Sequence, residues 1–74
     1  MARVLHLLKG VHLTLARAAI ERALAAGDEV TVALLPGAPD VTLPDQVQAR
    51  RVPEELSYAA LLELVFAADH VLPW

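Results

Sequence analysis

The pattern that most constrains this chain is a strand–helix–strand sequence filling its first half. Arg3 to Lys9 is a short apolar run bounded by charge and stopped by Gly10, as in a buried strand. From about residue 12 to 26 the period changes. Leu13, Ala16, Ile20 and Leu24 recur at helical spacing and share one face. Arg17 and Glu21 stand four apart on the outer side, and the many alanines favour a helix. Gly27 supplies a left-handed stop, with Asp28 in the turn. Glu29 to Leu35 then alternates Val30, Val32 and Leu34 against Thr31, Ala33 and Leu35, so both faces of this second strand are largely apolar. Two strands joined by one helix through short links form a β-α-β unit with parallel strands and a right-handed crossover.

The second half is less regular at first. Pro36, Gly37, Pro39 and Pro44 break periodic structure, so residues 36–46 are expected to form an ordered loop or lid. Val47 to Val52 can make a third strand, and Gln48, Arg50 and Arg51 mark it as an exposed edge. Pro53, Glu54 and Glu55 suit a first helical turn, but Ser57 is the stronger N-cap, with Leu56 and Leu61 at the positions of a hydrophobic staple. The helix runs to about Ala68, with Leu61, Leu64, Val65 and Ala68 on one face and Leu62 and Phe66 widening it. Asp69 and His70 turn the chain into Val71–Trp74, a short final strand or tail in which Pro73 suits an edge. The expected architecture is one α/β domain over residues 1–74. It is a small two-layer or three-layer parallel sheet in the order β-α-β-loop-β-α-β.

Length and composition limit what such a domain can do. Seventy-four residues bury only roughly 60% of the unfolded surface. Domains of this size usually need a staple or a partner. With no cysteine, disulfides, thiolate zinc sites and thiol chemistry are excluded. His6, His12 and His70 have no metal-ligand spacing, so no metal or other cofactor is expected. The apolar fraction is 57%, more than one small core can hide, and another subunit is the simplest cover for the excess. A net charge of −3 with interspersed signs argues against strong direct binding to nucleic acid or to an anionic membrane. The opening apolar stretch is broken by His6 and ended by Lys9, which does not make a signal peptide. No run approaches a membrane span, so a cytoplasmic location is expected.

Candidate functional residues are few. Ligands of open parallel sheets bind at the carboxyl ends of strands. That singles out Lys9 and His12 after the first strand and Gly37 after the second, with helix N-terminal amides suited to an anion. The plain alternative is that Lys9 and His12 are polar residues of a solvated turn. Neither a dinucleotide fingerprint nor a P-loop is present. His6 fits a structural histidine within a strand better than a base. His70 fits a helix exit, and Ser57 a cap rather than a nucleophile. Tyr58 and Trp74 are core residues or subunit anchors. Arg50 and Arg51 are a solvated edge or a dock for an acidic partner. No residue is assigned a catalytic role.

The segment Tyr58-Ala59-Ala60-Leu61-Leu62-Glu63-Leu64, ending at Trp74, resembles the C-terminus of the DsrH/TusB family. Those proteins tend to close with a Tyr-started amphipathic helix and a last-residue Trp. Val4-Leu5-His6-Leu7-Leu8 before a helix, Gly27-Asp28-Glu29-Val30 before an apolar strand, and Gly37 after it look like the family's opening. The chain departs from the family in being shorter and in having a Pro-rich loop where a helix is expected after Gly37. The resemblance implies a place among the DsrE-like sulfur-relay proteins, some of which pass persulfide sulfur toward 2-thiolation of the tRNA wobble uridine while others act in sulfur oxidation. A carrier needs a reactive thiolate. The role that transfers is therefore a non-catalytic subunit beside a Cys-bearing DsrE- or TusD-like partner. A small anion- or nucleotide-binding module and a bare homo-oligomerisation domain are the alternatives.

Overall fold

A computed structural model describes residues 2–39 and 41–74. Asp40, inside the expected loop, and Met1 lie outside the described residues. The elements are β1 (Arg3–Leu8), α1 (Leu13–Ala25), β2 (Glu29–Leu34), β3 (Gln48–Arg51), α2 (Tyr58–Ala67) and β4 (His70–Pro73). They build one four-stranded sheet in the order β3-β2-β1-β4, and every pair is parallel. The α/β parallel fold expected from the periodicity is the fold observed.

Strand order explains the layering. The chain steps one way from β1 to β2 and back across β1 to reach β4. Crossovers of one hand that step in opposite directions must place their helices on opposite faces. The core divides accordingly. Leu8, Val30, Val32 and Leu34 pack with Ala16 and Ile20 of α1. Leu5, Ala33 and Val52 pack with Leu61, Leu64 and Val65 of α2, with Ala68 just beyond it, and with Val71 of β4. The sheet therefore lies between the two helices, which selects three layers over two.

Each boundary has a local cause. Gly27 sits at φ 84° just beyond α1, and its amide and that of Asp28 satisfy carbonyls of Leu24 and Ala23. Asp28 and Asp69 tie the amino ends of the strands together, accepting from the backbone amides of Ala2 and Arg3. The Ser57 hydroxyl accepts from the Ala60 amide at 3.1 Å, an N-cap bond that starts α2. Leu56 and Leu61 join the same apolar cluster, as a staple requires. Val32 and Ile20 are fully buried, and hiding a side chain of this size stabilises by about 1.5–3 kcal/mol.

Three expectations are corrected, and one of two possible starts of α2 is decided. Lys9 and Leu35 fall outside the strands, although the Leu35 amide still bonds the Leu8 carbonyl. Lys9 leaves the sheet because Gly10 turns the chain at φ 107°. β3 spans Gln48–Arg51 rather than 47–52, with Val47 and Val52 buried at its ends. Pro53–Glu55 form a turn, not helix, because the Glu55 carboxylate folds back onto the Arg51 amide. Leu62 and Phe66 do not widen the buried face of α2; they are 55% and 81% exposed. Among the described residues, no layer covers that flank of the helix.

The Pro-rich connection from β2 to β3 takes the place of a helix. Ala38, Val41, Leu43 and Val47 pack against the α1-side core. The Arg51 guanidinium secures it by donating to the Ala38 carbonyl at 2.9 Å. No helix among the described residues is long and apolar enough to cross a membrane.

Candidate functional site

In a doubly wound sheet the natural ligand position is the crevice where successive crossovers diverge, outside the carboxyl ends of the strands. Here that point lies between β1 and β4. Two features meet there: the β1–α1 loop, which carries Lys9 and His12, and Trp74, which follows β4.

The β1–α1 loop rests on the loop after β2. A Cβ added at Gly10 would lie 3.1 Å from Pro39 Cδ and 3.4 Å from the Gly37 carbonyl. Lys9, His12 and Gly37 thus occupy two touching loops, and all three residues are exposed. His12 is the N-cap of α1 in left-handed conformation, φ 57° and ψ 31°, and makes no side-chain cap bond. Nearby amides are open to solvent or to an anion. Two concave spaces lie under α2, one of about 80 Å³ near Arg3, Glu29 and Ala68, and one of about 420 Å³ between α2 and Thr31, Gln48 and Arg50. Lys9, His12 and Gly37 line neither.

The crevice side of β1 is closed by Trp74. Its backbone amide bonds the Leu7 carbonyl, which extends β4 along β1. Alternation then turns the indole toward the α1 face, beside His6. The indole Nε1–H donates to His6 Nδ1 at 2.9 Å, and the two rings lie nearly parallel. His6 is fully buried, and burial alone lowers its pKa. The imidazole is therefore neutral near pH 7, and its Nε2 has no partner among the described residues. An imidazole that is fully buried and accepts the indole N–H at Nδ1 fits a structural histidine better than a base.

The remaining candidates are scattered. Arg50 and Arg51 point to opposite faces of β3. Arg50 is exposed beside the α2 groove, while Arg51 reaches under the other face to Ala38. His70 opens β4 and is exposed. Tyr58 is 59% exposed at the start of α2. Among the described residues, no group of three potential ligands could hold a metal ion.

What residue-by-residue reading misses is a surface. Tyr58, Leu62 and Phe66 recur at i, i+4 and i+8 and form an exposed apolar stripe. The same spacing is visible in the sequence, but periodicity alone cannot say which stripe of an apolar helix meets the core.

Comparison of the chain with protein-family models, with curated proteins and with solved structures gave no match. The class defined by the coordinates is a small, doubly wound, parallel α/β domain.

Proposed function

We propose that this chain is a non-catalytic, DsrH/TusB-like subunit of a cytoplasmic sulfur-relay assembly, possessing no sulfur-carrying group of its own. The observation that carries the reading is the Tyr58–Trp74 segment. It joins the family's terminal pattern to a helix that leaves Tyr58, Leu62 and Phe66 uncovered, in a chain without a single cysteine. A large exposed apolar stripe costs solubility unless a partner covers it. A Trp hydrogen-bonded to a buried His6 suits a scaffold better than an open reaction crevice. The sulfur rides on a Cys-bearing DsrE- or TusD-like partner, and the pathway served is 2-thiolation of the tRNA wobble uridine.

The test has two arms. Affinity purification at native level is expected to recover a Cys-bearing DsrE-like protein in stoichiometric amount, and deletion of the gene is expected to lower 2-thiouridine in bulk tRNA. Recovery of no such protein together with unchanged 2-thiouridine rejects the reading.

The open amides at the start of α1 favour one rival, an anion-binding module using Lys9, His12 and Gly37. Titration with inorganic phosphate, followed through the amide signals of residues 9–13, decides it; flat signals reject the rival.

A further inference from the structure

The two faces of the sheet are covered differently. Strands about 4.8 Å apart make a four-stranded face wider than one helix, which is about 10–12 Å across with its side chains. On the α1 face the Pro-rich connection fills the remainder, since Ala38, Val41, Leu43 and Val47 join that side of the core. On the other face α2 packs against Leu5, Ala33 and Val71, and a groove of about 420 Å³ remains between it and the outer strands β2 and β3.

Alternation decides what lines the groove. Thr31 of β2 and Gln48 and Arg50 of β3 turn to this face and form one wall. Ala60, Glu63, Leu64 and Ala67 recur at helical spacing and form the other. One wall thus carries a guanidinium and the other a carboxylate, with Leu64 and two small alanines leaving an apolar space between them. No ion pair joins Arg50 to Glu63. Arg50 donates to the carbonyl of its neighbour Ala49 at 3.1 Å, and the Glu63 side chain makes no hydrogen bond or ion pair among the described residues.

These charges select the occupant. A plain anion gains at Arg50 and is repelled by Glu63, and a plain cation meets the reverse. A molecule that carries both a carboxylate and an ammonium gains at both walls, and an aliphatic body removes the apolar lining from water. The volume lies within the roughly 300–1,000 Å³ of small-molecule sites, toward the small end.

We propose that the groove between α2 and β3 binds a free amino acid with an aliphatic side chain, its carboxylate at Arg50, its ammonium at Glu63 and its side chain against Leu64. Both charged side chains are exposed, so water weakens each contact and millimolar binding is expected.

Three probes of one carbon skeleton test the proposal: L-leucine, isocaproate, which lacks the ammonium, and isoamylamine, which lacks the carboxylate. The isotope-labelled full chain is titrated with each at neutral pH and read by amide shifts. Leucine is expected to move signals of residues 31, 48–50 and 60–67 and to bind about tenfold tighter than either analogue. Arg50→Gln is expected to bring leucine down to the level of isoamylamine, and Glu63→Gln to bring it down to that of isocaproate. Circular dichroism should show both variants folded, because both positions are exposed. Absence of shifts with leucine, shifts confined to other elements, or equal binding of the three probes overturns the proposal. So does a self-dimer in sedimentation that Glu63→Gln dissolves and leucine leaves intact, which assigns the groove to a second copy. Sulfur relay is tested independently by tRNA 2-thiouridine, so either idea can fail alone.

Discussion

Trp74 and His6 are joined by an indole-to-imidazole hydrogen bond of 2.9 Å that spans 68 positions of sequence. Their ring centroids lie 6.1 Å apart with planes within 10°. Because Nδ1 accepts, the one proton of the neutral imidazole sits on Nε2. The bond fastens β4, a four-residue edge strand, onto the centre of the sheet. It also satisfies the indole N–H, which would otherwise be a half-buried donor without a partner.

Trp74→Phe keeps the ring and removes the donor, which leaves His6 with two unmet nitrogens in an apolar setting. Leaving a buried polar group unsatisfied costs about 1–3 kcal/mol. The urea midpoint is expected to fall accordingly with the slope unchanged, and amide exchange is expected to quicken first in residues 70–74. A midpoint equal to that of the parent protein refutes the role given to the bond.

His6 also sets a pH dependence. Its pKa in the folded protein is lowered from the ordinary 6.5 by burial, so below that pH the unfolded chain binds a proton that the folded chain refuses. Stability contributed by the neutral imidazole is complete above pH 6.5 and is lost as pH falls toward the lowered folded value. Urea unfolding at a series of pH values between neutral and mildly acidic is expected to show that decline. His6→Asn keeps an acceptor for the indole without titrating there, and its decline is expected to be shallower. Parallel slopes in the two proteins would locate the effect elsewhere.

The pair also marks where sequence reading stops. Both β1–α1–β2 strands, the α1 face through Ala16 and Ile20, the Ser57 cap and the edge position of β3 follow from local periodicity and turn chemistry, which act within about ten residues. Contact between His6 and Trp74 depends on β4 pairing with β1, a choice made by the whole topology. No local signal encodes it. The same limit explains α2. Its residues are apolar on several sides, so the buried stripe through Leu61, Leu64 and Val65 and the exposed one through Leu62 and Phe66 look alike until the sheet is in place. Of the site candidates, Lys9, His12 and Gly37 were legible as loop neighbours because strand ends fix their position. Arg50 and Arg51 are adjacent in sequence but serve opposite faces, as alternation along β3 requires.

α2 buries no residue fully, so its start depends on Ser57 more than a core helix would depend on its cap. Ser57→Ala removes the acceptor of the Ala60 amide, a change worth about 1 kcal/mol. Faster hydrogen exchange in residues 58–62 is expected, with β1 and β2 unaffected. Ser57→Asp supplies another capping oxygen and is expected to restore protection. Equal exchange in Ser57→Ala and the parent chain would mean that packing alone defines the start of the helix.

Gly10 and Gly27 separate backbone strain from steric contact. Both have positive φ, 107° and 84°, so alanine at either position incurs conformational strain of about 1–2 kcal/mol. A new Cβ at Gly27 meets nothing within 4 Å. At Gly10 it comes within 3.1 Å of Pro39 Cδ, which belongs to the connection packed on the α1 core. Gly10→Ala is therefore expected to destabilise more than Gly27→Ala. It is also expected to shift the amide signals of residues 37–39, which Gly27→Ala leaves in place. Equal losses of stability in the two variants, with residues 37–39 unmoved in both, would show that the loops after β1 and β2 do not bear on each other.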